Sequence, residues 1–248
     1  MTTRIAMWSG PRNLSTALMR SFEARGDCAV QDEPLYGYYL RETGLAHPMA
    51  EEVMASLPTS WEAATDGLAR DDAGGLPFAY HKQMAHHLLD EVGRDWLKAM
   101  RHAFLIRDPR AVVASYTRVR GAAVPRDLGF LQQVELLDYV TGTLGQPAVV
   151  VDSADLLRDP PGVLSALCAA LDMPYTPAML SWKPGRRSSD GVWAPRWYAS
   201  VEASTGFGPP RDDVVEVAPE HRDVVEALWP AWELLSSKKL GSPVCGDD

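Results

Sequence analysis

The sequence predicts a three-layer α/β fold with a mostly parallel central sheet. Short apolar runs alternate with helical patterns along the 248 residues, which is typical of a parallel sheet covered by helices on both faces. Hydrophobic residues make up 46% of the chain, enough for a substantial core and too many for a disordered protein. We therefore expect a single domain over residues 1–248.

The alternation predicts the elements in chain order. The expected strands are 5–8, 28–31, 78–80, 102–107 and 148–152. The expected helices are 15–25, 48–56, 60–68, 85–92, 111–120, 128–143, 161–171 and 221–237. Residues 181–213 are rich in Trp, Gly, Pro and Arg and show little periodicity, and a long irregular segment of this kind is often a lid or a binding loop.

Composition restricts the partners and the compartment. The net charge of −9 argues against nucleic acid or an anionic membrane as a partner. The cysteines Cys28, Cys168 and Cys245 form neither a disulfide framework nor a metal-binding spacing, which indicates a reducing compartment. No signal peptide and no run of about 20 apolar residues is expected. These observations predict a cytoplasmic protein, and they leave its oligomeric state open.

The segment 4–19 is the strongest functional signal. It predicts a buried strand, a tight turn and the start of a helix. The first N–H groups of a helix have no internal partner and the helix dipole adds positive charge, so such a junction binds anions. Arg12, Ser15 and Thr16 would add a cation and two hydroxyl donors for a phosphate or a sulfate. An ordinary helix start with a serine N-cap remains the alternative.

The same junction is not a nucleotide-triphosphatase phosphate loop of the usual form. That motif needs four residues between a glycine and a Gly–Lys pair, whereas Gly10 is followed by four residues and then directly by Ser15 and Thr16. Asp152, at the end of an expected strand, could still hold Mg²⁺ as such enzymes require. A kinase or another nucleotide triphosphate enzyme therefore stays open.

A second basic cluster follows the strand 102–107. Arg107 ends this strand and Ser115 lies eight residues later in the next helix. A cation at a strand end and a hydroxyl two helical turns onward can converge on one phosphate. The alternative is a surface arginine with a serine that is merely buried in its helix.

Taken together, the two segments resemble the sulfotransferases that use 3′-phosphoadenosine 5′-phosphosulfate (PAPS), which have a P-loop-like, nucleotide-binding α/β fold. Segments 149–160 and 164–175 are also similar to that family. The resemblance implies that Arg107 and Ser115 bind the 3′-phosphate and that no metal is needed. It also implies a loop for the 5′-phosphosulfate, formed here by Arg12, Asn13, Leu14, Ser15 and Thr16. Leu14 stands where the family usually has glycine, which leaves the path of the loop open.

Sulfuryl transfer needs a base for the acceptor proton and a cation near the leaving phosphate. Glu33 follows the strand 28–31, and the resemblance implies that it is the base, although it could be only a solvated acid. Lys82 matches the family lysine that stabilises the transition state. The family histidine two positions later is Met84 here. His86 or His87, which titrate near neutral pH when unperturbed, is therefore the alternative base, or the pair only bonds to the backbone.

The irregular segment offers weaker candidates. Arg186 and Arg187 vaguely resemble the late basic stretch that covers the 3′-phosphate in the family, and they could equally be solvated loop charges. Its tryptophans could stack on the adenine, form the wall of an acceptor pocket, or simply pack beneath the loop; they are Trp182, Trp193 and Trp197.

The helix 111–120 carries two further arginines near its end. Arg118 and Arg120 are expected on the exposed side of this helix. Segments 36–70 and 125–131 are expected to form the pocket for the acceptor.

The resemblance implies an enzyme that moves a sulfuryl group from PAPS to a hydroxyl or an amine of a small-molecule acceptor. 3′-Phosphoadenosine 5′-phosphate (PAP) would be the product. Two alternatives remain: the kinase or nucleotide triphosphate enzyme described above, and a relative that binds PAP or PAPS without turning it over. Both departures from the family motifs, Leu14 and Met84, favour the non-catalytic relative.

Overall fold

A computed structural model describes residues 2–90, 92–210 and 215–241. Five strands form one sheet in the order β2-β3-β1-β4-β5, and all four strand pairs are parallel. The strands are β1 (Thr3–Ser9), β2 (Cys28–Asp32), β3 (Phe78–Met84), β4 (Arg101–Ile106) and β5 (Ala148–Asp152). The predicted parallel sheet is confirmed. Cys245 and residues 211–213 of the predicted lid lie outside the described residues.

Helices connect the strands and cover the sheet. Up to β4 they are α1 (Ser15–Glu23), α2 (Tyr36–Thr43), α3 (Ala50–Ser56) and α4 (Trp61–Arg70). After β4 they are α5 (Pro109–Arg120), α6 (Phe130–Asp138), α7 (Ser153–Arg158), α8 (Pro160–Ala170), α9 (Ala194–Trp197), α10 (Ala199–Glu202) and α11 (Arg222–Ser236). Across the described ranges, none of these helices is long and apolar enough to cross a bilayer.

The central strand shows why three layers form. Successive side chains of a strand point to opposite faces. Ile5 and Met7 of β1 pack into the apolar cluster beneath α1 and α8, whereas Ala6 and Trp8 pack into the cluster beneath α6 and α11. All four side chains are fully buried. One strand thus contributes to both cores, and the predicted three-layer α/β fold is confirmed.

Two differences from the prediction bear on the site. The sequence predicts a helix over residues 85–92, but among the described residues of this range only a single 3₁₀ turn, Ala85–His87, is present. The preceding strand β3 instead runs to Met84, through polar residues that hide the strand pattern in the sequence. His87 stacks on the rings of Tyr36 and Tyr39 at 4.6 Å between ring centroids, so tertiary packing outweighs the local helix propensity.

The second difference is the helix α2, at a place where the sequence predicts no helix. Its N-cap residue Leu35 makes no side-chain hydrogen bond to the first turn, so the usual start signal for a helix is missing. Burial holds it instead, because Tyr36, Tyr39 and Leu40 pack into a cluster with Val53 and Trp193. That cluster joins α2 to the irregular segment after residue 181.

Candidate functional site

A cavity of about 470 Å³ lies at the carboxyl-terminal edge of the sheet. In parallel α/β sheets this edge is where ligands bind, and the volume suits a nucleotide-sized ligand. The residues that follow β1, β2 and β4 contribute Arg12, Glu33 and Arg107, and β3 contributes Lys82 near its end. The segment from Trp193 to Gly208 closes the opposite side.

One end of the cavity brings two predicted segments together. Arg107 Nη1 donates a hydrogen bond of 2.7 Å to the backbone oxygen of Arg12, and Arg12 Nε donates one of 3.0 Å to Ser115 Oγ. The three residues therefore form one group, as expected if they share an adenosine bisphosphate. We call Arg12, Arg107 and Ser115 the cationic cradle.

The cradle has the character of an anion site. Arg12 adopts φ 60°, a left-handed backbone conformation that costs energy in residues other than glycine and clusters at functional sites. Burial, and then the charge of Arg118, lower the pKa of Arg12. Within the described part of the chain, no carboxylate forms an ion pair with it. A bound phosphate would supply the missing negative charge.

The helix α1 begins beside the cradle. Its N-cap Leu14 makes no side-chain hydrogen bond, and the first backbone bond of the helix runs from Leu18 N to Leu14 O at 2.9 Å. The first-turn residues Ser15, Thr16 and Ala17 line the cavity with Leu14 and Asn13. Amides of the first turn are therefore left for a ligand, in the geometry that favours anions.

The loop reaches this position without the family glycine. Leu14 has φ −77°, which any residue adopts, and the left-handed turn falls at Arg12 instead. Asn13 Nδ2 holds the loop to β4 through a 2.9 Å hydrogen bond to Leu105 O. A glycine is required earlier, since a Cβ at Gly10 would lie 2.1 Å from Leu128 O.

A buried lysine lies deeper in the cavity. Lys82 Nζ donates to Asp32 Oδ1 at 2.8 Å, to Glu33 Oε1 at 2.6 Å and to the Tyr198 hydroxyl at 2.7 Å. An ammonium group has three protons, so each of them has an acceptor. Burial lowers the pKa of Lys82, but the two carboxylates raise it and prevail, so the pKa lies well above its ordinary value.

Glu33 combines strain with burial. It has φ 43°, and its N–H donates to Lys82 O at 2.9 Å. Burial raises the pKa of its carboxyl group above the ordinary 4.5, although the charge of Lys82 acts in the opposite direction. A buried carboxylate with a raised pKa beside a cation is typical of a catalytic acid or base.

The irregular segment is tied to this lysine. The Tyr198 hydroxyl donates to Asp32 and accepts from Trp193 Nε1 at 3.2 Å. Asp32 Oδ2 also accepts from Gly191 N at 3.0 Å. Sequence reasoning missed the roles of Asp32 and Tyr198. The signal for Asp32 was its place at a strand end beside Glu33, whereas Tyr198 carried no local signal.

We expect Tyr198→Phe to destabilise the protein by about 1–3 kcal/mol, because a proton of Lys82 and the carboxylate of Asp32 lose a buried partner. Urea unfolding measures this change. Tyr175→Phe removes a hydroxyl outside the network and serves as the control, with an expected change below about 0.5 kcal/mol. Equal stability of Tyr198→Phe and the unmodified protein would show that the network does not hold the segment.

The other end of the cavity is lined by aromatic rings and histidines. Its residues are Tyr36, His47, His86, His87, Tyr116, Arg120, Trp193 and Trp197. Burial lowers the pKa of His86 to about 3 and that of His87 well below 6.5. Both imidazoles are therefore neutral at pH 7, and burial makes either of them a weaker base than an unperturbed histidine.

A family model described as a sulfotransferase domain matches residues 3–239. The chain belongs to the sulfotransferase domain family. The Sulfotransferase Domain from the Curacin Biosynthetic Pathway shares this fold, with a TM-score of 0.53 and 16% identity over 97% of this chain and 99% of that one. This membership confirms the family resemblance of the sequence.

Two curated relatives of Arabidopsis thaliana carry other names. Branched-chain-amino-acid aminotransferase-like protein 1 is 34% identical over 97% of this chain and 44% of its own length. The corresponding protein 2 is 31% identical over 93% of this chain and 41% of its own length. This sulfotransferase-family chain thus spans less than half of either relative.

Not every residue singled out in the sequence reaches the cavity of this sulfotransferase-family chain. Arg186, Arg187 and Trp182 are not part of its lining. Arg187 forms an ion pair with Glu23 at 3.4 Å, and Trp182 packs edge-on against Phe207 at 5.2 Å between ring centroids. The Arg187–Glu23 pair therefore links the irregular segment to α1, whereas the Trp182–Phe207 contact lies within the segment. The opposite error concerns Arg120, which lines the cavity although it was expected to be exposed.

The histidines and the strand-end aspartate of this sulfotransferase-family chain do not converge on one point. His81 Nε2 hydrogen-bonds to Asp71 Oδ2 at 2.9 Å and does not line the cavity, whereas His86 and His87 do. Asp152 caps α7 by accepting from Ala154 N at 2.7 Å, and it does not line the cavity. Among the described residues, no group of three or more His, Cys, Asp or Glu side chains could hold a metal ion.

Proposed function

We propose that this sulfotransferase-family protein transfers a sulfuryl group from PAPS to a hydroxyl or an amine of a small-molecule acceptor. The observation that carries the proposal is that one cavity contains both the cationic cradle and the Glu33–Lys82 pair. Donor binding and proton removal would then take place in adjacent parts of the same site. The aromatic end of the cavity would receive the acceptor.

The donor would be bound at two points. Its 5′-phosphosulfate would accept hydrogen bonds from Arg12, from the hydroxyls of Ser15 and Thr16 and from the first-turn amides of α1. Its 3′-phosphate would be held by Arg107 and Ser115. Two separate anion sites would distinguish this donor from nucleotides that carry phosphate only at the 5′ position.

In the transfer step, the acceptor oxygen attacks sulfur and forms the new O–S bond. The bond between sulfur and the bridging oxygen breaks, and its electron pair stays on the 5′-phosphate of PAP. Glu33 takes the acceptor proton, so its carboxylate becomes neutral. The hydrogen bond from Lys82 to Glu33 then weakens, and Lys82 can direct that N–H and its charge to the leaving phosphate, while Asp32 remains its counter-ion.

A Mg²⁺-dependent nucleotide triphosphate enzyme is a weaker candidate. The carboxylate suggested for that role, Asp152, caps a helix outside the cavity lining. Among the described residues, Glu33 is the acid that lines the cavity, and it is paired with Lys82. This arrangement favours an anionic donor that is bound by side-chain cations and backbone amides.

We expect PAP at about 100 times its dissociation constant to raise the melting temperature by about 5 °C or more, because such saturation adds about 2.7 kcal/mol of stability. Thermal unfolding with PAP, with adenosine 5′-phosphate, and with ATP plus Mg²⁺ measures the preference. Adenosine 5′-phosphate lacks the 3′-phosphate and should stabilise less than PAP. A larger shift with ATP and Mg²⁺ than with PAP would contradict the proposal.

Catalysis is tested separately from binding. PAPS would be incubated with the protein and a panel of phenols, alcohols and amines, and the formation of PAP would be followed. Acceptor-dependent PAP formation is the expected result. PAP binding without turnover of any acceptor in the panel would favour the non-catalytic relative.

A further inference from the structure

Arg120 is a cation at the aromatic end of the cavity that the proposed donor site does not use. It is the last residue of α5, five positions after Ser115, and it lines the cavity. Its guanidinium carbon lies 5.4 Å from the centroid of the Trp197 ring. The ring supports the guanidinium in a cation–π contact, and the Tyr116 side chain hydrogen-bonds with Arg120. A guanidinium has five N–H donors, so others remain for a ligand.

The charge of Arg120 acts on groups at the aromatic end of the cavity. Burial lowers the pKa of His47 and His86, and the charge of Arg120 acts in the same direction. The same charge opposes the rise that burial causes in the pKa of Tyr36. All three of these residues line the aromatic end of the cavity. By contrast, the neighbouring Arg118 is exposed, does not line the cavity, and acts on Arg12 in the donor cradle.

Arg120 has no internal counter-ion in the part of the chain that the structure describes. Burial raises the pKa of Asp127 and the charge of Arg120 opposes that rise, but among the described residues the two side chains form no ion pair, and Asp127 does not line the cavity. Glu33, which does line it, is paired with Lys82. A ligand with a negative charge would give this cation a partner inside the cavity.

The surroundings of Arg120 restrict that ligand to a single negative charge and an apolar body. His47, with a pKa lowered to about 4, and His86, with a pKa lowered to about 3, are neutral at pH 7. The neighbouring walls are Tyr36, Trp193 and Trp197. One guanidinium among neutral rings matches one carboxylate, whereas a dianionic phosphate would keep an unbalanced charge.

We propose that the acceptor is a hydroxylated carboxylic acid with an apolar, preferably aromatic, body, and that Arg120 binds its carboxylate. The inference rests on the proposed sulfuryl transfer and adds the class of acceptor. Arg120 would orient the acceptor so that its hydroxyl, at the other end of the molecule, reaches Glu33. It would be a specificity-determining residue rather than a group that takes part in the transfer.

Three phenols that differ mainly in charge test the proposal. In the PAP complex, 4-hydroxyphenylacetate is anionic, 4-(2-hydroxyethyl)phenol is neutral and tyramine is cationic. We expect calorimetry to show the anion binding about tenfold or more tightly than the neutral phenol, with tyramine weakest, since a hydrogen-bonded charge pair contributes at least this much. Equal affinities, a preference for tyramine, or binding of none of the three would overturn the proposal.

Arg120→Gln locates the source of the preference. This variant should bind the anionic and the neutral phenol with affinities within about twofold of each other, because the charge-assisted bond is lost. Arg118→Gln removes the same charge from the same helix outside the cavity and should keep the full preference. A preference that survives in Arg120→Gln, or that disappears equally in both variants, would overturn the assignment.

PAP affinity distinguishes a failure of the proposed function from a failure of the proposed acceptor class. If the unmodified protein does not bind PAP, the proposed function itself fails. If PAP binds and the anionic phenol is not preferred, only the acceptor class is wrong. Arg120→Gln should bind PAP within about twofold of the unmodified protein, because its guanidinium lies outside the cradle. A tenfold or greater loss of PAP affinity would instead assign Arg120 to the donor.

Discussion

Arg12→Ala is expected to weaken PAP binding by about 100-fold or more, because at least two charge-assisted hydrogen bonds to phosphate would be lost. Arg12 contributes its guanidinium to the cavity and its backbone oxygen to Arg107. It also donates to Ser115. The substitution therefore removes a cation from the centre of the cradle while the main-chain contact to Arg107 can remain.

Calorimetric titration with PAP measures this loss, and three further variants identify its cause. Arg12→Lys keeps the charge but not the planar fork, so it should recover only part of the affinity. Arg12→Gly removes the side chain while suiting the left-handed backbone at φ 60°, so it should be as weak as Arg12→Ala but no less stable. Arg41→Ala, at an exposed position of α2, is the control. Unchanged PAP affinity in Arg12→Ala would refute the cradle.

The fold was largely predictable because alternation and strand spacing are local properties of the sequence. In β1, the pair Ile5 and Met7 and the pair Ala6 and Trp8 already reveal two buried faces. What could not be predicted depends on partners distant in sequence. Strand β3 continues past Tyr80 only because its polar side chains find buried partners, such as Asp71 for His81 and Asp32 for Lys82.

Most of the candidate site could be predicted from the rule that residues following parallel strands lie at the same edge of the sheet. Arg12, Glu33 and Arg107 follow parallel strands, so the topology of the sheet makes them neighbours. In the structure they line one cavity together with Lys82. Tyr198 lies 116 residues beyond Lys82. No local sequence pattern predicts the contact between Lys82 and Tyr198, because it forms only when the irregular segment folds back over the sheet.

The exposure of Arg120 and the pKa values of His86 and His87 could not be predicted from the sequence for a related reason. A helix pattern gives the angle of Arg120 around α5 but not what covers that side, and here Trp197 from the irregular segment covers it. The sequence likewise gives the type of His86 and His87 but not their burial, which sets their pKa values. Both properties depend on the tertiary structure.

Glu33→Gln is expected to lower kcat by roughly 100- to 10,000-fold, because general-base catalysis contributes this much. PAP affinity should change little, since Glu33 is not part of the cradle. The amide preserves the size of the side chain, and Lys82 keeps its bonds to Asp32 and Tyr198, so the variant should fold. Glu42→Gln, an exposed change on α2, is the control, and PAP formation from PAPS is the readout.

The pH profile decides between Glu33 and the histidines as the base. A base acts when deprotonated, so activity falls as the pH drops through its pKa. Burial raises the pKa of Glu33 above 4.5, whereas the pKa of His86 is about 3.

The acid limb of kcat/KM should therefore lie above pH 4.5 in the unmodified protein and in His86→Gln, and it should be lost in Glu33→Gln. Lys82→Met removes the cation that lowers the pKa of Glu33, so any remaining activity should show this limb at higher pH. Full activity of Glu33→Gln, with a limb near pH 3, would instead assign the base to His86.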